Sequence, residues 1–360
     1  MTAFPKSTDI FVVGGGPAGL AAAIAARRKG FDVTVADAAR PPIDKACGEG
    51  LMPDSLAALR RLGVTLDCVE QSFPFRGIRF HGAGVSVAAG FPEGQAVGIR
   101  RTRLHEILID RARQAGVTMQ WGTRVNGVQG DTVSLDAGDV RCRWVIGADG
   151  QNSRVRHWAG LDAARYESTR FGFRRHYQMA PWTDHMEIYW GSGCQMYVTP
   201  VGPREVCVAV ISRDSHLRFD GALPQFPELG SRLAHAPAST LERGSVTASR
   251  RLRGVFGQRT ILIGDASGSV DAITGEGMSL SFHQALALAD ALVEDDLEAY
   301  QAAHRRLMRR PAFMASLMLS LDRLAWLRPL ALRGMAYEPA IFEKLLAVHV
   351  GAPSEVLAVS

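Results

Sequence analysis

Short apolar runs and helical periodicity alternate along the first forty residues, and that alternation predicts a βαβ unit. Ile10-Phe11-Val12-Val13 is a compact apolar, β-rich run of the kind that forms a buried strand. Residues 20–29 are alanine-rich and helical, Gly30 ends that helix, and Phe31-Asp32-Val33-Thr34-Val35-Ala36 reads as a second strand closed by Asp37. Residues 53–62 and 101–113 read as helices, the second with Leu104, Ile107 and Leu108 on one face. Residues 75–92 alternate and are broken by glycines, which predicts strands. Trp144-Val145-Ile146 is a strand running into Gly147-Ala148-Asp149-Gly150. The pattern over 166–212 is mostly β, clearest at Glu187-Ile188-Tyr189-Trp190 and at Val206-Cys207-Val208-Ala209-Val210-Ile211. Thr260-Ile261-Leu262-Ile263 is a buried strand ending in Gly264-Asp265. A glycine-rich loop and a helix through Leu292 follow, and helical pattern continues nearly to Leu346.

The turn inside the first βαβ unit carries G-x-G-x-x-G at Gly14, Gly16 and Gly19, with Pro17 and Ala18 between the last two. Each glycine has a physical task in a dinucleotide site. Gly14 permits the tight turn, Gly16 lets backbone approach a pyrophosphate, and Gly19 lets helix and strand pack closely. The helix N-terminus offers free N–H groups and a positive dipole end to the phosphates. Asp37 can accept hydrogen bonds from a ribose diol. No second such motif follows a strand downstream, since Gly191-Ser192-Gly193 lacks the third glycine and the helix. One dinucleotide is expected.

Composition narrows the class. The 360 residues are 47% hydrophobic and 21% charged, which excludes a disordered or fibrous chain. The net charge of +5 comes from scattered arginines, densest at Arg250-Arg251-Arg253 and Arg305-Arg306-Arg309-Arg310. No basic run is interleaved with aromatics, so nucleic acid is not an expected partner. Cys47, Cys68, Cys142, Cys194 and Cys207 are odd in number and lack C-x-x-C spacing, which argues against a disulfide framework or a zinc site and for a reducing compartment. The histidines lack H-E-x-x-H spacing, and no metal is expected. Residues 1–9 have no apolar run of the signal-peptide type, and the apolar stretch 311–321 is too short to span a bilayer. A cytoplasmic protein is expected.

Three strands ending in Gly/Asp, at 14, 147–150 and 264–265, can converge at the carboxyl edge of one parallel sheet. In that order the motifs resemble those of the flavoprotein monooxygenases of the para-hydroxybenzoate hydroxylase fold, with their geranylgeranyl-reductase-like and halogenase relatives. Val145-Ile146-Gly147-Ala148-Asp149-Gly150-Gln151-Asn152-Ser153-Arg154-Val155-Arg156 looks like that family's DG motif. Ile261-Leu262-Ile263-Gly264-Asp265-Ala266-Ser267 and Thr274-Gly275-Glu276-Gly277-Met278 look like its GD motif and flavin-ring loop. Arg101-x-x-Leu104-x-x-x-Leu108 resembles a third element, with Arg101 either a cofactor contact or a solvated helix arginine. The resemblance covers residues 8–295.

The resemblance implies an α/β fold: a Rossmann-like FAD-binding domain of glutathione-reductase type, an inserted β-sheet substrate domain and C-terminal helices. FAD-binding segments are expected at 1–72, 98–165 and 254–310, the substrate sheet at 73–97 and 166–253, and the helices at 311–360. FAD is bound once, with NAD(P)H as a transient reductant and no nicotinamide domain. Asp149 and Gly150, Gly264 and Asp265, and Gly275, Glu276, Gly277 and Met278 would border the cofactor. Cys47 and Gly48, in a Cys-Gly-Glu-Gly loop like that of the reductase and halogenase branches, would lie near the flavin. The helix opening at Met278 would stabilise anionic reduced flavin.

The substrate side is expected at Phe171-Gly172-Phe173-Arg174-Arg175-His176-Tyr177 and at Gln195-Met196-Tyr197-Val198-Thr199-Pro200-Val201-Gly202. In the second, the geranylgeranyl reductases' Y-x-W-x-F-P pattern keeps only Pro200, and that loss of aromatic surface argues against a long polyprenyl substrate. Trp190 and Tyr197 offer planar apolar surface for a ring or lipid. His176 is a candidate base for a phenolic proton or a half-exposed strand residue, and Cys47 a candidate reactive residue or a buried small one. The expected function is an FAD- and NAD(P)H-dependent monooxygenase. It would hydroxylate an aromatic or polyketide-like hydrophobic substrate with O2 through a flavin C4a-hydroperoxide. The alternative is a geranylgeranyl-reductase-like flavin reductase of isoprenoid double bonds. A halogenase ranks low for want of a G-W-x-W-x-I-P signature, and a non-enzymatic FAD-binding protein stays open. Met314, Leu317, Leu321, Leu324 and Leu327 lie at helical spacing, as a packing face or dimer contact, with a peripheral membrane contact as the alternative. The oligomeric state is open.

Overall fold

Strand Ser7–Val13 pairs in parallel with Val33–Asp37 on one side and with Gly138–Gly147 on the other. Thr118–Trp121 extends the sheet beyond the second strand, and Thr260–Leu262 extends it beyond the third, again in parallel. Phe256–Gly257 closes that edge by an antiparallel pairing. Ile10, Phe11 and Val12 are buried on both faces, as the apolar run requires of a parallel sheet covered on both sides. Helix Pro17–Arg28 crosses between the first two strands; its alanines let it pack close to helix Gly277–Glu294. The structure, a computed structural model, describes residues 5–66, 69–324 and 326–351, without the side chains of 165–167; Cys68 lies outside the described residues.

A seven-stranded sheet runs in the order Arg243–Leu252, Ala164–Tyr177, Glu205–Ser212, Cys194–Gly202, His185–Trp190, Gly77–Gly82 and Val85–Gly90. Its pairings are antiparallel except that of His185–Trp190 with Gly77–Gly82. The strand period of two sends Met186, Ile188 and Trp190 to one apolar cluster and Tyr189 to another, on the opposite face. The segment 73–97, expected in this sheet, is divided. Gly77–Gly90 joins it, whereas Ala96–Ile99 pairs with Ser72–Phe75 on one side and Gly50–Leu51 on the other in a separate three-stranded sheet. Gly98 lets the small sheet lie directly on strand Cys194–Gly202, because a Cβ there would sit 1.8 Å from the carbonyl oxygen of Pro200.

Helices Leu297–Arg323, Leu327–Tyr337 and Pro339–Val350 complete the chain as described. They pack against the face of the seven-stranded sheet that carries Phe80, Ile188 and Trp190.

Candidate active site

The register of the parallel sheet sets Val13 beside Gly147 and Gly147 beside Leu262, so the three glycine-bearing turns emerge at one edge. A cavity of about 1290 Å³ opens there. Of the residues expected to border a dinucleotide, all except Gly19, Gly264 and Glu276 line it.

The three glycines of the first turn divide their tasks. Gly14 has φ +109°, and a Cβ on it would meet the Ala148 carbonyl oxygen at 2.4 Å. A Cβ on Gly19 would lie 1.8 Å from the Gly14 carbonyl oxygen. At Gly16 a Cβ would meet nothing within 4 Å, so that position faces open space. Gly16 caps helix Pro17–Arg28 without a side-chain hydrogen bond, and the first N–H groups are turned to the cavity. The Asp37 carboxylate accepts from the N–H groups of Gly15 and Ala39, both at 2.7 Å, which fixes it at the cavity rim. Gly264, at φ +61°, packs against Ala18 instead of the cavity.

Asp149 lines the cavity, but its carboxylate is spent on the chain. It accepts from Ser153 Oγ and from the N–H groups of Arg154 (2.7 Å) and Val155 (3.1 Å), holding the start of helix Arg154–Trp158. Asp265 stands 3.4 Å from Lys45 Nζ across the cavity mouth. Arg101 opens helix Arg101–Gln114, and its buried Nε has no partner among the described residues.

The loop before Gly50 is anchored by a buried network. Glu49 is 2% exposed and has φ +59°, a strained backbone for a residue with a side chain. Its Oε1 accepts from the Arg101 N–H at 3.0 Å and its Oε2 lies 2.6 Å from His176 Nε2. Arg174 Nη1, which can only donate, lies 3.0 Å from His176 Nδ1. Nδ1 therefore accepts, and Nε2 carries the proton donated to Glu49. Cys207 completes a cluster with Glu49 and His176 whose polar atoms lie within 4.8 Å of one another, but the Arg174 guanidinium beside it opposes a cation. His176 does not line the cavity, and both ring nitrogens are engaged. His176, expected either as a base for a phenolic proton or as a half-exposed strand residue, is buried and braces Glu49. Burial raises the Cys47 thiol above its ordinary pKa, which disfavours the thiolate that a reactive cysteine needs.

Beyond the glycine loop the cavity becomes an apolar chamber. Ile78, Phe80, Met186, Ile188, Trp190 and Tyr197 face it from the sheet, and Met314, Leu317, Leu321, Met335 and Phe342 from the C-terminal helices. The helical row expected as a packing or dimer face is thus chamber wall at Met314, Leu317 and Leu321, while Leu324 stands outside, 43% exposed. Tyr197 donates its hydroxyl to the Ile273 carbonyl at 2.8 Å and presents its ring. Pro200 is absent from the wall and lies under the small sheet. Glu276 turns away from the cavity, toward Arg310 at 3.4 Å and His349 Nδ1 at 3.6 Å. Burial is the main cause that pushes the Glu276 carboxyl up to about 8, against the opposing pull of Arg310. Burial also drives His349 down to about 4. Near neutral pH the two meet as a carboxylic acid and a neutral imidazole rather than as an ion pair. His349 is on the chamber wall.

Residues 7–307 match the model of the FAD binding domain family. A menaquinone reductase of Mycolicibacterium smegmatis is 30% identical over 84% of this chain and 80% of its own length. The 6-methylpretetramide 4-monooxygenase of Streptomyces rimosus is 28% identical over 96% of this chain and 92% of its own. Among solved structures, the flavin-dependent brominase Bmp2 superposes with a TM-score of 0.83 at 20% identity, covering 96% of this chain and 94% of that one. The chain belongs to the FAD binding domain family. It is a flavin-dependent oxidoreductase.

The residues fit FAD. Gly16, Gly275 and Gly277 each leave open space where a side chain would stand. Arg101 holds an orphaned buried donor at the cavity. Helix Gly277–Glu294 begins without a side-chain cap, with Gly277 and Met278 on the cavity wall. What sequence reasoning missed is the support behind this loop. Arg170, 1% exposed, donates from Nε to Asp271 at 3.1 Å and from Nη2 to Asp322 at 2.8 Å, and Asp271 in turn accepts from the Ile273 N–H at 3.0 Å. Gln195 donates to Asp322 at 2.6 Å. The flavin-ring loop, the sheet and the end of helix Leu297–Arg323 are tied by charges up to 152 residues apart in sequence, and no local pattern announces such a contact.

Proposed function

We propose that this flavoprotein is an FAD- and NAD(P)H-dependent monooxygenase that hydroxylates an aromatic or polyketide-like hydrophobic substrate with O2. The observation that carries the reading is the chamber, one apolar space continuous with the glycine loop at Gly275–Met278. FAD, when bound, supplies the two-electron and oxygen chemistry. The chain supplies the rest. The open positions at Gly275 and Gly277 let backbone approach the ring, and the uncapped N-terminus of helix Gly277–Glu294 favours negative charge there. The walls at Trp190, Tyr197 and Phe342 take a flat ring and keep water out. Proton handling at the substrate falls to His349 on the wall, with protonated Glu276 behind it, rather than to His176. The monooxygenase relative supports an aromatic polyketide-like substrate class.

A second reading rests on a different observation. A menaquinone reductase is among the relatives at 30% identity, and the chamber would take an isoprenoid chain. The protein would then be a flavin reductase of isoprenoid double bonds. Purified enzyme loaded with FAD separates the two. NADH and NADPH oxidation is followed with a panel of alkyl-substituted phenols under labelled O2. Incorporation of one labelled oxygen into product is the expected result. Saturation of an isoprenoid by anaerobically reduced enzyme, with no oxygen uptake, would install the reductase in its place. In the same assay His349→Gln is expected to lower turnover per bound flavin by about a hundredfold. His176→Gln should instead lower thermal stability and leave turnover per flavin within about threefold, because the residue braces Glu49.

A further inference from the structure

The C-terminal helices are apolar on both sides. Six of the nine large apolar side chains exposed among the described residues fall between 313 and 341: Phe313, Leu324, Trp326, Leu330, Tyr337 and Ile341. Trp326, Leu330, Arg333 and Tyr337 recur at i, i+4, i+7 and i+11 along helix Leu327–Tyr337 and its first flank, which places them on one stripe. Trp326 is 66% exposed, Leu330 57% and Tyr337 92%. The opposite side of the same helix carries Leu332, 1% exposed, and Met335 on the chamber wall. A surface helix ordinarily opposes its packed face with polar residues; this one does not.

Charge says what covers the stripe. Residues 305–351 hold eight Arg and Lys against three Asp and Glu, an excess equal to the +5 of the whole chain. Arg306, Arg309, Arg323, Arg333 and Lys344 of that segment are exposed. A second copy seated face to face would bring these cations together. An anionic lipid surface neutralises them while Trp326 and Tyr337 take the headgroup level that such amphipathic rings prefer. No described helix is long and apolar enough to cross a membrane, so the contact is peripheral.

We propose that the outer stripe of helix Leu327–Tyr337, with the exposed cations of the flanking helices, docks this protein on an anionic lipid bilayer. One layer of helices then separates the bilayer from the apolar chamber, since Met335 and Tyr337 belong to the same helix. The docking is independent of whether the reaction is a hydroxylation or a reduction.

The test is co-sedimentation of the FAD-loaded full chain with phosphatidylcholine vesicles, with and without phosphatidylglycerol. The expected result is binding to the anionic vesicles, weakened by salt, with a blue shift of tryptophan emission. Replacing Trp326, Leu330 and Tyr337 together by serine should cut vesicle binding at least tenfold. Arg333→Glu should weaken binding to anionic vesicles and leave binding to neutral ones unchanged. Bound flavin per chain verifies that each variant is folded. Absence of binding to anionic vesicles at low salt overturns the proposal, as does equal binding by the triple variant. A dimer in sedimentation velocity that the triple variant converts to monomer would reassign the stripe to a second copy.

Discussion

At the cofactor end of the cavity the wall is mostly backbone: Gly14, Gly16, Gly48, Gly150, Gly275 and Gly277, drawn from four separate loops. At the substrate end it is side chain: Ile78, Phe80, Met186, Ile188, Trp190 and Phe342, drawn from strands and helices far apart in sequence. Their supports differ as well. The backbone end is held by close packing, with Gly14 on Ala148 and Gly19 on Gly14. The side-chain end, together with the flavin-ring loop where the two ends meet, is held by buried charge, with Arg170 joining Asp271 and Asp322, and Gln195 and Arg213 completing the set at Asp322. A cofactor common to a family is gripped by chain geometry, and a particular substrate by replaceable surfaces braced from behind. The two ends should therefore fail differently.

The largest effect is expected at the brace. Arg170→Ala leaves Asp271 and Asp322 buried beside a missing cation, which costs about 3–5 kcal/mol for a buried pair broken on one side. Denaturant unfolding of the flavin-free chain should register it. A loss under 1 kcal/mol would mean that Arg213 and water compensate, and would weaken the contrast between the two ends.

Two alanine substitutions in the same turn sharpen the backbone half. Gly19→Ala sets a methyl 1.8 Å from the Gly14 carbonyl and should destabilise the protein by about 3 kcal/mol, with FAD lost as a consequence. Gly16→Ala meets no protein atom, so the flavin-free protein should unfold at nearly the same denaturant concentration. FAD affinity should nevertheless fall about tenfold by titration, since the methyl occupies cofactor space. Equal destabilisation by both would show that Gly16 serves packing rather than the ligand.

The smallest expected effect lies where the two ends meet. Burial holds the Glu276 carboxyl at about 8, well above the range of about 4.3 in an unfolded chain. Between those values the folded state keeps a proton that the unfolded state releases. Stability therefore declines as pH rises through that window and levels off above it. Glu276→Gln removes the decline. Its Tm should match the parent near pH 5 and exceed it by about 2–4 °C at pH 8. A parent whose Tm gap from the variant is constant with pH would place that titration elsewhere.

The turn at Gly14–Gly19, the acid at Asp37 and the strand ends at Asp149 and Asp265 were legible because each is a local spacing tied to one backbone geometry. His176 lies in a strand that alternates as a half-exposed one would, yet it is buried because the loop bearing Glu49 and the segment at Thr240 close over it. Glu276 sits among cavity residues in sequence, but its side chain leaves with Arg310 and His349. His349 itself gave no signal, being a lone histidine on an apolar helix 73 residues from the glutamate it faces. Met314, Leu317 and Leu321 were visible as an apolar row, yet the row does not say whether it faces a core, a second chain or a cavity.

By itself the sequence determined the α/β class, the single dinucleotide turn and the order of the three glycine-bearing strand ends. Those features depend on φ, on helix polarity and on residues a few positions apart, which the chain fixes before it folds. Only the tertiary structure decided which side chains form the chamber, which buried acid keeps its proton and which charges hold the flavin-ring loop. Such properties come from desolvation and from contacts between distant segments, and neither has a period that can be read along one strand or helix.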